Sequence, residues 1–152
     1  MADTFSQIYI QVVFAVKGRQ HLIHSSWEDQ LYKYITGVVQ NKEQKMLAIN
    51  GMPEHIHFLI GMKPTCILSD LVREVKKSSN DFINDQKLTK QKFYWQAGYG
   101  AFSYNYSDLD HIIGYISSQK EHHQKISFKE EYLEILKQFA INYKDEFLFD
   151  WI

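Results

Sequence analysis

The amino-acid sequence predicts an α+β fold in which an antiparallel sheet is combined with several helices. Segments rich in β-branched and aromatic residues, typical of strands, alternate with segments whose apolar residues recur every three or four positions, typical of helices. Their order is strand, helix, strand, strand, helix, strand, helix, followed by a last helix. This order matches the ferredoxin-like, split βαβ arrangement with helices on one face of the sheet plus an added C-terminal helix that carries a tyrosine. We expect a single domain over residues 1–152, because no Pro/Gly/Ser-rich linker interrupts the chain.

The first half of the chain predicts one strand, one helix and a strand pair. Residues 5–16 alternate isoleucine, valine and phenylalanine on one face, which indicates a strand in the centre of the sheet. Residues 25–44 have helical apolar spacing. Residues 46–52 and 55–61 are predicted as two short strands, with a tight turn at Pro53 between them.

The second half predicts a helix, an irregular strand and two further helices. Residues 68–84 carry an apolar stripe with helical spacing. Residues 93–106 are aromatic and contain two glycines, which predicts a strand with a bulged entry. Asp108 is the expected cap of a continuous helix over residues 109–125, and a last helix is expected over about 129–140.

Composition excludes several classes of protein. With 45% hydrophobic and 15% aromatic residues, the chain can build a real core, and no apolar run approaches the ~20 residues that cross a bilayer. The net charge of −1, from 17 basic and 18 acidic residues, disfavours a protein that coats nucleic acid through bulk charge. DNA contact would therefore need a local basic surface. The lone Cys66 cannot form an internal disulfide, which fits a reducing cytoplasm.

The sharpest short pattern is His55-Ile56-His57 on a predicted strand. Side chains at positions i and i+2 of a strand point to the same side, so the two imidazoles can share one divalent ion. Taken alone, the pattern is short and common, and two surface histidines are the simpler interpretation. We expect both histidines to be partly exposed.

The third predicted helix carries a polar row beside its buried stripe. His111, Tyr115, Gln119 and His122 are separated by four, four and three residues. Tyr115 and Gln119 are one turn apart, so both side chains can reach a single point. Taken alone, Tyr115 is equally explained as an amphipathic side chain with a packed ring and a hydrated hydroxyl.

Three motifs in order along the chain resemble those of a known family. They are His55-Ile56-His57 after Met52-Pro53-Glu54, then WQAGYGAF at residues 95–102, then YISSQ at residues 115–119. Together with FSQIYIQVVFAVKGRQ at residues 5–20, they look like the single-tyrosine HUH transposases of the insertion-sequence 200/605 type, where U stands for a hydrophobic residue. Each motif is weak singly, but the ordered set is specific.

The resemblance implies a function and a set of roles. The chain would be a DNA transposase that cleaves and rejoins single-stranded DNA at insertion-sequence ends through a phosphotyrosine intermediate, with Tyr115 as the nucleophile. His55, His57 and Gln119 would bind Mg²⁺ or Mn²⁺. The partners would be single-stranded DNA hairpins at the element ends and a second copy of the chain. In such homodimers the tyrosine helix can serve the partner subunit's histidines, and the sequence leaves open whether Tyr115 acts in this way.

The residue types suit this chemistry. A tyrosine hydroxyl has a free pKa of ~10 and is a poor nucleophile at neutral pH. A metal ion at the scissile phosphate withdraws charge and orients the reacting groups. Imidazole and amide ligands favour Mn²⁺ over Mg²⁺. Zinc is less expected, because Glu54 is the only acidic ligand that the sequence suggests.

A basic edge on the second helix is the predicted DNA contact. Arg73, Lys76 and Lys77 project opposite the apolar stripe of that helix. A solvated helix face is the alternative. The long apolar first strand suggests a second interaction, because it would suit pairing with the same strand of a partner subunit in a homodimer.

Two other classes of function remain open. An RRM-type nucleic-acid-binding module shares the strand and helix order, but residues 99–102 (YGAF) match its aromatic signature only in part. That interpretation also leaves Tyr115 and the His pair without roles. A non-catalytic regulatory domain with incidental histidines is the other. For the transposase we expect a prokaryotic, cytoplasmic protein that is nucleoid-associated when it acts.

Overall fold

A computed structural model of the chain describes residues 3–144 and residue 148. The ends of the predicted domain, residues 1–2, 145–147 and 149–152, lie outside the described residues. The strands and helices, in chain order, are β1 (Tyr9–Ala15), α1 (Glu28–Asn41), β2 (Lys45–Met52), β3 (His55–Gly61), α2 (Leu68–Asp85), β4 (Gly100–Tyr104), α3 (Leu109–Ser117), α4 (Gln119–His122) and α5 (Phe128–Gln138).

The four strands form one antiparallel sheet in the order β2-β3-β1-β4. This order is that of the split βαβ motif, so the predicted α+β, ferredoxin-like fold is confirmed. The register pairs Val13 with His57 and Ala15 with His55. Directly paired residues of antiparallel strands share a face, so the His pair lies on the face of Val13 and Ala15.

One face of the sheet is covered by α1 and α2. Val12 and Phe14 of β1 and Phe58 of β3 point to this face and are fully buried. The apolar stripes of the two helices cover them, with Leu31 and Val75 completely buried. This is the main core, and the two helices that the fold class requires on one face form it.

The added helices cover the opposite face. On α3, Ile112 and Ile116 pack on Leu59 of β3. On α5, Phe128 and Tyr132 belong to the buried cluster that contains Val13 and Ala15. The tyrosine-bearing helix and α5 therefore enclose the sheet face that carries His55 and His57.

The third helix differs from its prediction, because it is not continuous over residues 109–125. α3 ends at Ser117, and α4 begins at Gln119 after Ser118 adopts φ −99° and ψ 18°. Adjacent serines favour such an interruption, because their hydroxyls compete for backbone hydrogen bonds and lower helix propensity. The break changes the course of the chain between Tyr115 and α5.

Two other predicted elements are shorter in the structure. α1 begins at Glu28 rather than residue 25, after a turn in which His24 O accepts hydrogen bonds from the amides of Trp27 and Glu28. The strand predicted over residues 93–106 is regular only at Gly100–Tyr104, and Trp95 forms an isolated bridge to Val16. The segment between them turns at Gly98, whose φ of +89° is unfavourable for residues with a side chain.

The first strand occupies the centre of the sheet, between β3 and β4. The central position was predicted, but the suggestion that β1 pairs with a partner subunit is wrong, because both of its edges are already hydrogen-bonded. Within the described part of the chain, none of the helices has the length and apolar character needed to span a membrane.

Candidate metal and tyrosine site

His55 and His57 lie side by side on β3, with ring centroids 5.1 Å apart. Both side chains are completely buried, so the predicted partial exposure is wrong. The cause is α5, which covers the strand although no local sequence pattern places it there. Its first residue, Phe128, stacks on the His55 ring at a centroid distance of 3.8 Å and an interplanar angle of 5°.

A buried carboxylate fixes the orientation of His55. Its Nδ1 lies 2.7 Å from Oε1 of Glu54, so Nδ1 carries the proton and donates it, and Nε2 is left with its lone pair. Burial lowers the pKa of His55 to about 4, although the hydrogen bond to Glu54 opposes this shift. The imidazole is therefore neutral near pH 7, which is the state that binds metal ions.

His57 is held from both sides. Its Nδ1 lies 2.9 Å from Nε2 of Gln11, and the Gln11 Oε1 accepts a hydrogen bond of 2.8 Å from the Tyr104 hydroxyl. On the other side, His57 Nε2 lies 2.9 Å from Oε1 of Glu131. Both ring nitrogens thus have partners, and the ring cannot rotate without breaking one of these contacts.

Glu131, on α5, is the centre of the site. Its side chain is almost completely buried, and its Oε1 also lies 3.2 Å from Nε2 of His123. Its Oε2 accepts a hydrogen bond of 3.0 Å from Nε2 of Gln119 and another from the hydroxyl of Tyr115. Burial alone would raise the pKa of Glu131, but the charge of His57 and hydrogen bonds from His123 and His57 hold it well below its usual range. The carboxylate is therefore ionised.

Tyr115 projects from α3 toward the same point. Its ring centroid is 6.0 Å from that of His57, and its hydroxyl contacts Glu131 and lies 3.4 Å from Nε2 of His122. Burial, reinforced by the nearby Glu131 carboxylate, raises the pKa of Tyr115 well above its ordinary value. The hydroxyl is neutral and half-buried in the free protein.

Gln119 completes the set despite the break at Ser118. Its Nε2 donates to Glu131, which fixes the orientation of the amide and directs Oε1 toward Nε2 of His55 at 3.2 Å and Nε2 of His123 at 3.1 Å. The structure thus brings together all four residues singled out by the sequence: His55, His57, Tyr115 and Gln119.

The donor atoms fit a divalent cation. One ligand atom each from His55, His57, His123 and Glu131 can be chosen so that all lie within 4.8 Å of one another. The lone pair of His55 Nε2 faces two further acceptors, Gln119 Oε1 at 3.2 Å and Glu131 Oε1 at 3.6 Å. Acceptor atoms that converge in this way repel one another unless a cation lies between them.

The predicted basic edge is only partly a free surface. It lies on α2, across the sheet from the His pair. Arg73 is exposed but paired with Asp70 at 2.8 Å, and Lys77 is exposed. Lys76 turns inward, where its Nζ donates to the carbonyl oxygens of Gln96 and Gly98 at 2.6 and 2.9 Å. Burial lowers the pKa of Lys76 to about 8, and its charge secures the Gly98 turn.

Sequence reasoning missed Glu131 and His123. One signal was present for the first: Phe128, Glu131, Tyr132 and Ile135 follow the spacing of a buried helical stripe, so a carboxylate stands where an apolar residue is expected. His123 carries no comparable signal. It reaches the site only because the chain turns after α4, where its Nδ1 meets the carbonyl oxygen of Ile126 at 3.0 Å.

Comparison with known families then assigns the chain. The family model described as Transposase IS200 like matches residues 4–119. The chain belongs to this family. The matched segment contains the His pair and Tyr115 and ends at Gln119, so His123 and Glu131 of this IS200-like transposase lie beyond it.

Solved transposase structures share the fold. A Deinococcus radiodurans protein described as a transposase is 19% identical, with a TM-score of 0.64 over 78% of this chain and 95% of that one. The REP-associated tyrosine transposase bound to a REP hairpin is 18% identical, with a TM-score of 0.61 over 83% of this chain and 76% of that one. Among curated proteins, no sequence matches this chain significantly.

Proposed function

We propose that this IS200-like transposase cleaves and rejoins single-stranded DNA at the ends of a mobile element through a covalent bond to Tyr115. The observation that carries the proposal is the convergence of the Tyr115 hydroxyl with the buried His pair, through their shared contact with Glu131. A single-domain chain of this kind would act in the prokaryotic cytoplasm, associated with the nucleoid where its DNA lies.

The reaction requires one bond to form and one to break. The Tyr115 oxygen attacks the scissile phosphorus and loses its proton, the bond from phosphorus to the 3′ oxygen breaks, and that oxygen takes up a proton. The products are a 5′ phosphotyrosine and a free 3′ hydroxyl. Because the phosphotyrosine conserves the energy of the broken bond, a 3′ hydroxyl can reverse the step and join strands without a nucleotide cofactor.

The buried side chains hold and orient the groups of this site. His55, His57 and Gln119 are the proposed ligands of Mg²⁺ or Mn²⁺, and the nitrogen-rich donor set favours Mn²⁺. The ion would supply Lewis-acid charge withdrawal at the phosphate. Glu54 and Gln11 keep the two imidazoles in fixed orientations through their Nδ1 atoms.

The proposed substrate is a single-stranded DNA hairpin. Support comes from the structural neighbour that is bound to a REP hairpin and has the same fold. The RRM-type alternative is disfavoured by the packing, because an RRM binds bases on an open sheet face. Here α1 and α2 cover one face and α3 and α5 the other.

Cleavage of hairpin-bearing single strands tests the proposal. The purified protein, incubated with a pool of such strands and Mn²⁺, should produce nicked DNA, and a chelator should prevent the reaction. A protein that binds the strands and never cleaves them, with any divalent ion, would be a binding module instead.

Loss of the two exposed basic residues of α2 should weaken DNA binding. We expect Arg73→Gln with Lys77→Gln to flatten the salt dependence of single-strand affinity by about 0.7 in logarithmic slope for each phosphate that is no longer neutralised. Lys76→Gln should act differently, by loosening the turn at Gly98 that its ammonium secures. Fluorescence anisotropy across a salt series measures the slope.

Lys33→Gln, an exposed change on α1, is the matched control and should leave the slope unchanged. If the double variant behaves like this control, the DNA does not run along α2.

The proposal includes a homodimer, which rests on the family resemblance, because β1 is not free to pair. Among the described strands, β2 and β4 form the edges of the sheet. We expect a dimer by sedimentation at micromolar concentration. A fully active monomer would contradict this expectation. The meeting of Tyr115 with its own chain's His57 supports action within one chain, so dimerisation need not exchange tyrosine helices.

A further inference from the structure

A buried carboxylate that the proposed reaction does not use lies at the centre of the site. Only 2% of Glu131 is exposed. Removing a carboxylate from water is costly, and apolar residues of similar volume are often as stable as a buried ion pair. A purely structural role for Glu131 therefore explains poorly why a charge occupies the apolar stripe of α5.

The two oxygens of Glu131 face different partners. Oε1 faces the nitrogen donors, at 2.9 Å from His57 Nε2, 3.2 Å from His123 Nε2 and 3.6 Å from His55 Nε2. Oε2 faces Gln119 and the hydroxyl of Tyr115. One carboxylate therefore lies between the metal-binding atoms and the nucleophile.

The packing of α5 makes this position rigid. Phe128 stacks on His55, one turn before Glu131, and Tyr132 and Ile135 are buried on either side of the same stripe. Ser127 caps the helix by accepting a hydrogen bond of 3.2 Å from the amide of Glu130. The carboxylate is thus placed by secondary structure rather than by a loop.

The spacing of the atoms is that of a ligand set. In a tetrahedral site with metal–ligand bonds of about 2.1 Å, the ligand atoms are about 3.4 Å apart. Nε2 atoms of His55, His57 and His123 and a Glu131 oxygen already lie within 4.8 Å of one another, so small side-chain movements bring them to a common ion.

We propose that Glu131 is the carboxylate ligand of the catalytic ion and His123 a further imidazole ligand, and that Glu131 also positions the Tyr115 hydroxyl through its second oxygen. The inference rests on the proposed function for the identity of the nucleophile. Three imidazoles and one carboxylate form a donor set for a transition-metal ion such as Mn²⁺, Co²⁺ or Zn²⁺ rather than Mg²⁺, which prefers oxygen ligands. The resulting ion would be held by residues on both sides of the family-matched segment's end at Gln119.

Cobalt binding to the whole protein tests the ligand assignment without relying on activity. Co²⁺ reports its coordination through visible absorption, so titration gives both the affinity and the type of ligands. We expect Glu131→Gln to weaken Co²⁺ binding by at least ~10–100-fold, the range seen when the groups around a metal site are altered. His123→Gln should weaken it as well and change the spectrum.

Two matched controls separate ligation from general disturbance. Glu134→Gln makes the same chemical change at an exposed position of α5 and should leave affinity and spectrum unchanged. Tyr115→Phe removes a hydrogen bond to Glu131 but no proposed ligand, so Co²⁺ should still bind. If Glu131→Gln does not fold, as judged by circular dichroism, Glu131→Asp keeps the charge, withdraws the carboxylate by one methylene and should also weaken binding.

The outcomes distinguish this inference from the proposed function. Folded Glu131 variants that bind Co²⁺ like the wild type would overturn the inference and leave the proposed function standing. A wild-type protein that binds no divalent ion would overturn both the inference and the metal dependence of the reaction. Loss of Co²⁺ binding in Glu131→Gln, in a wild type that never joins DNA, would support the ligand and remove the proposed reaction.

Discussion

Replacing Tyr115 with phenylalanine is expected to abolish cleavage of single-stranded DNA. The change removes one oxygen and keeps the ring, so the contact of the ring with His57 should survive. It also removes the hydrogen bond to Glu131, which should cost about 1–3 kcal/mol of unfolding free energy because the acceptor is charged and buried. Gel analysis of hairpin substrates with Mn²⁺ measures cleavage, and thermal melting measures the stability.

The matched controls are the other tyrosines that precede the site in the sequence. Tyr99→Phe and Tyr106→Phe change exposed side chains, and Tyr104→Phe removes the hydrogen bond to Gln11. All three variants should still cleave. Cleavage that persists in Tyr115→Phe and disappears in one of these variants would assign the nucleophile to that tyrosine.

Replacing His57 with glutamine is expected to reduce metal-dependent cleavage on the order of 1000-fold, because an ion at the phosphate contributes several kcal/mol to transition-state stabilisation. The burial of the His pair determines the choice of substitution. A double alanine variant would leave cavities beside Phe128 and deprive Glu131 of a partner, at a cost of about 3–5 kcal/mol. Loss of activity would then be confounded with loss of folding.

Glutamine keeps a polar group of similar reach toward Glu131, and the fold should persist by circular dichroism. His111→Gln is the matched control, because His111 is exposed on α3 and its replacement should leave both cleavage and metal affinity unchanged. A folded His57→Gln variant that cleaves at the wild-type rate with Mn²⁺ would remove His57 from the site.

The sequence predicted the parts of the site that depend on local periodicity. Alternation along a strand places His55 and His57 on one side, and the register with Val13 and Ala15 confirms that they share a face. Helical spacing places Tyr115 and Gln119 one turn apart, and their side chains meet at Glu131 even though the helix breaks at Ser118.

The parts that depend on tertiary packing were not predictable in the same way. The position of α5 over the His pair follows from the burial of Phe128 and Tyr132 against β1 and β4, which periodicity does not specify. For that reason the burial of both histidines and the roles of Glu131 and His123 emerged only from the structure. Lys76 shows the same limit, since it lies on the polar side of α2 in the sequence and yet donates to the carbonyls of a neighbouring turn.

The most direct test of the central claim is to map the covalent bond between protein and DNA. Wild-type protein would be incubated with hairpin-bearing single strands and Mn²⁺, denatured and digested, and the peptide that carries the nucleotide would be identified by mass. The expected result is a nucleotide attached to Tyr115 in the wild type and no adduct in Tyr115→Phe. An adduct on a different residue would contradict the assignment of the nucleophile, and strand cleavage with no covalent adduct would contradict the phosphotyrosine mechanism itself.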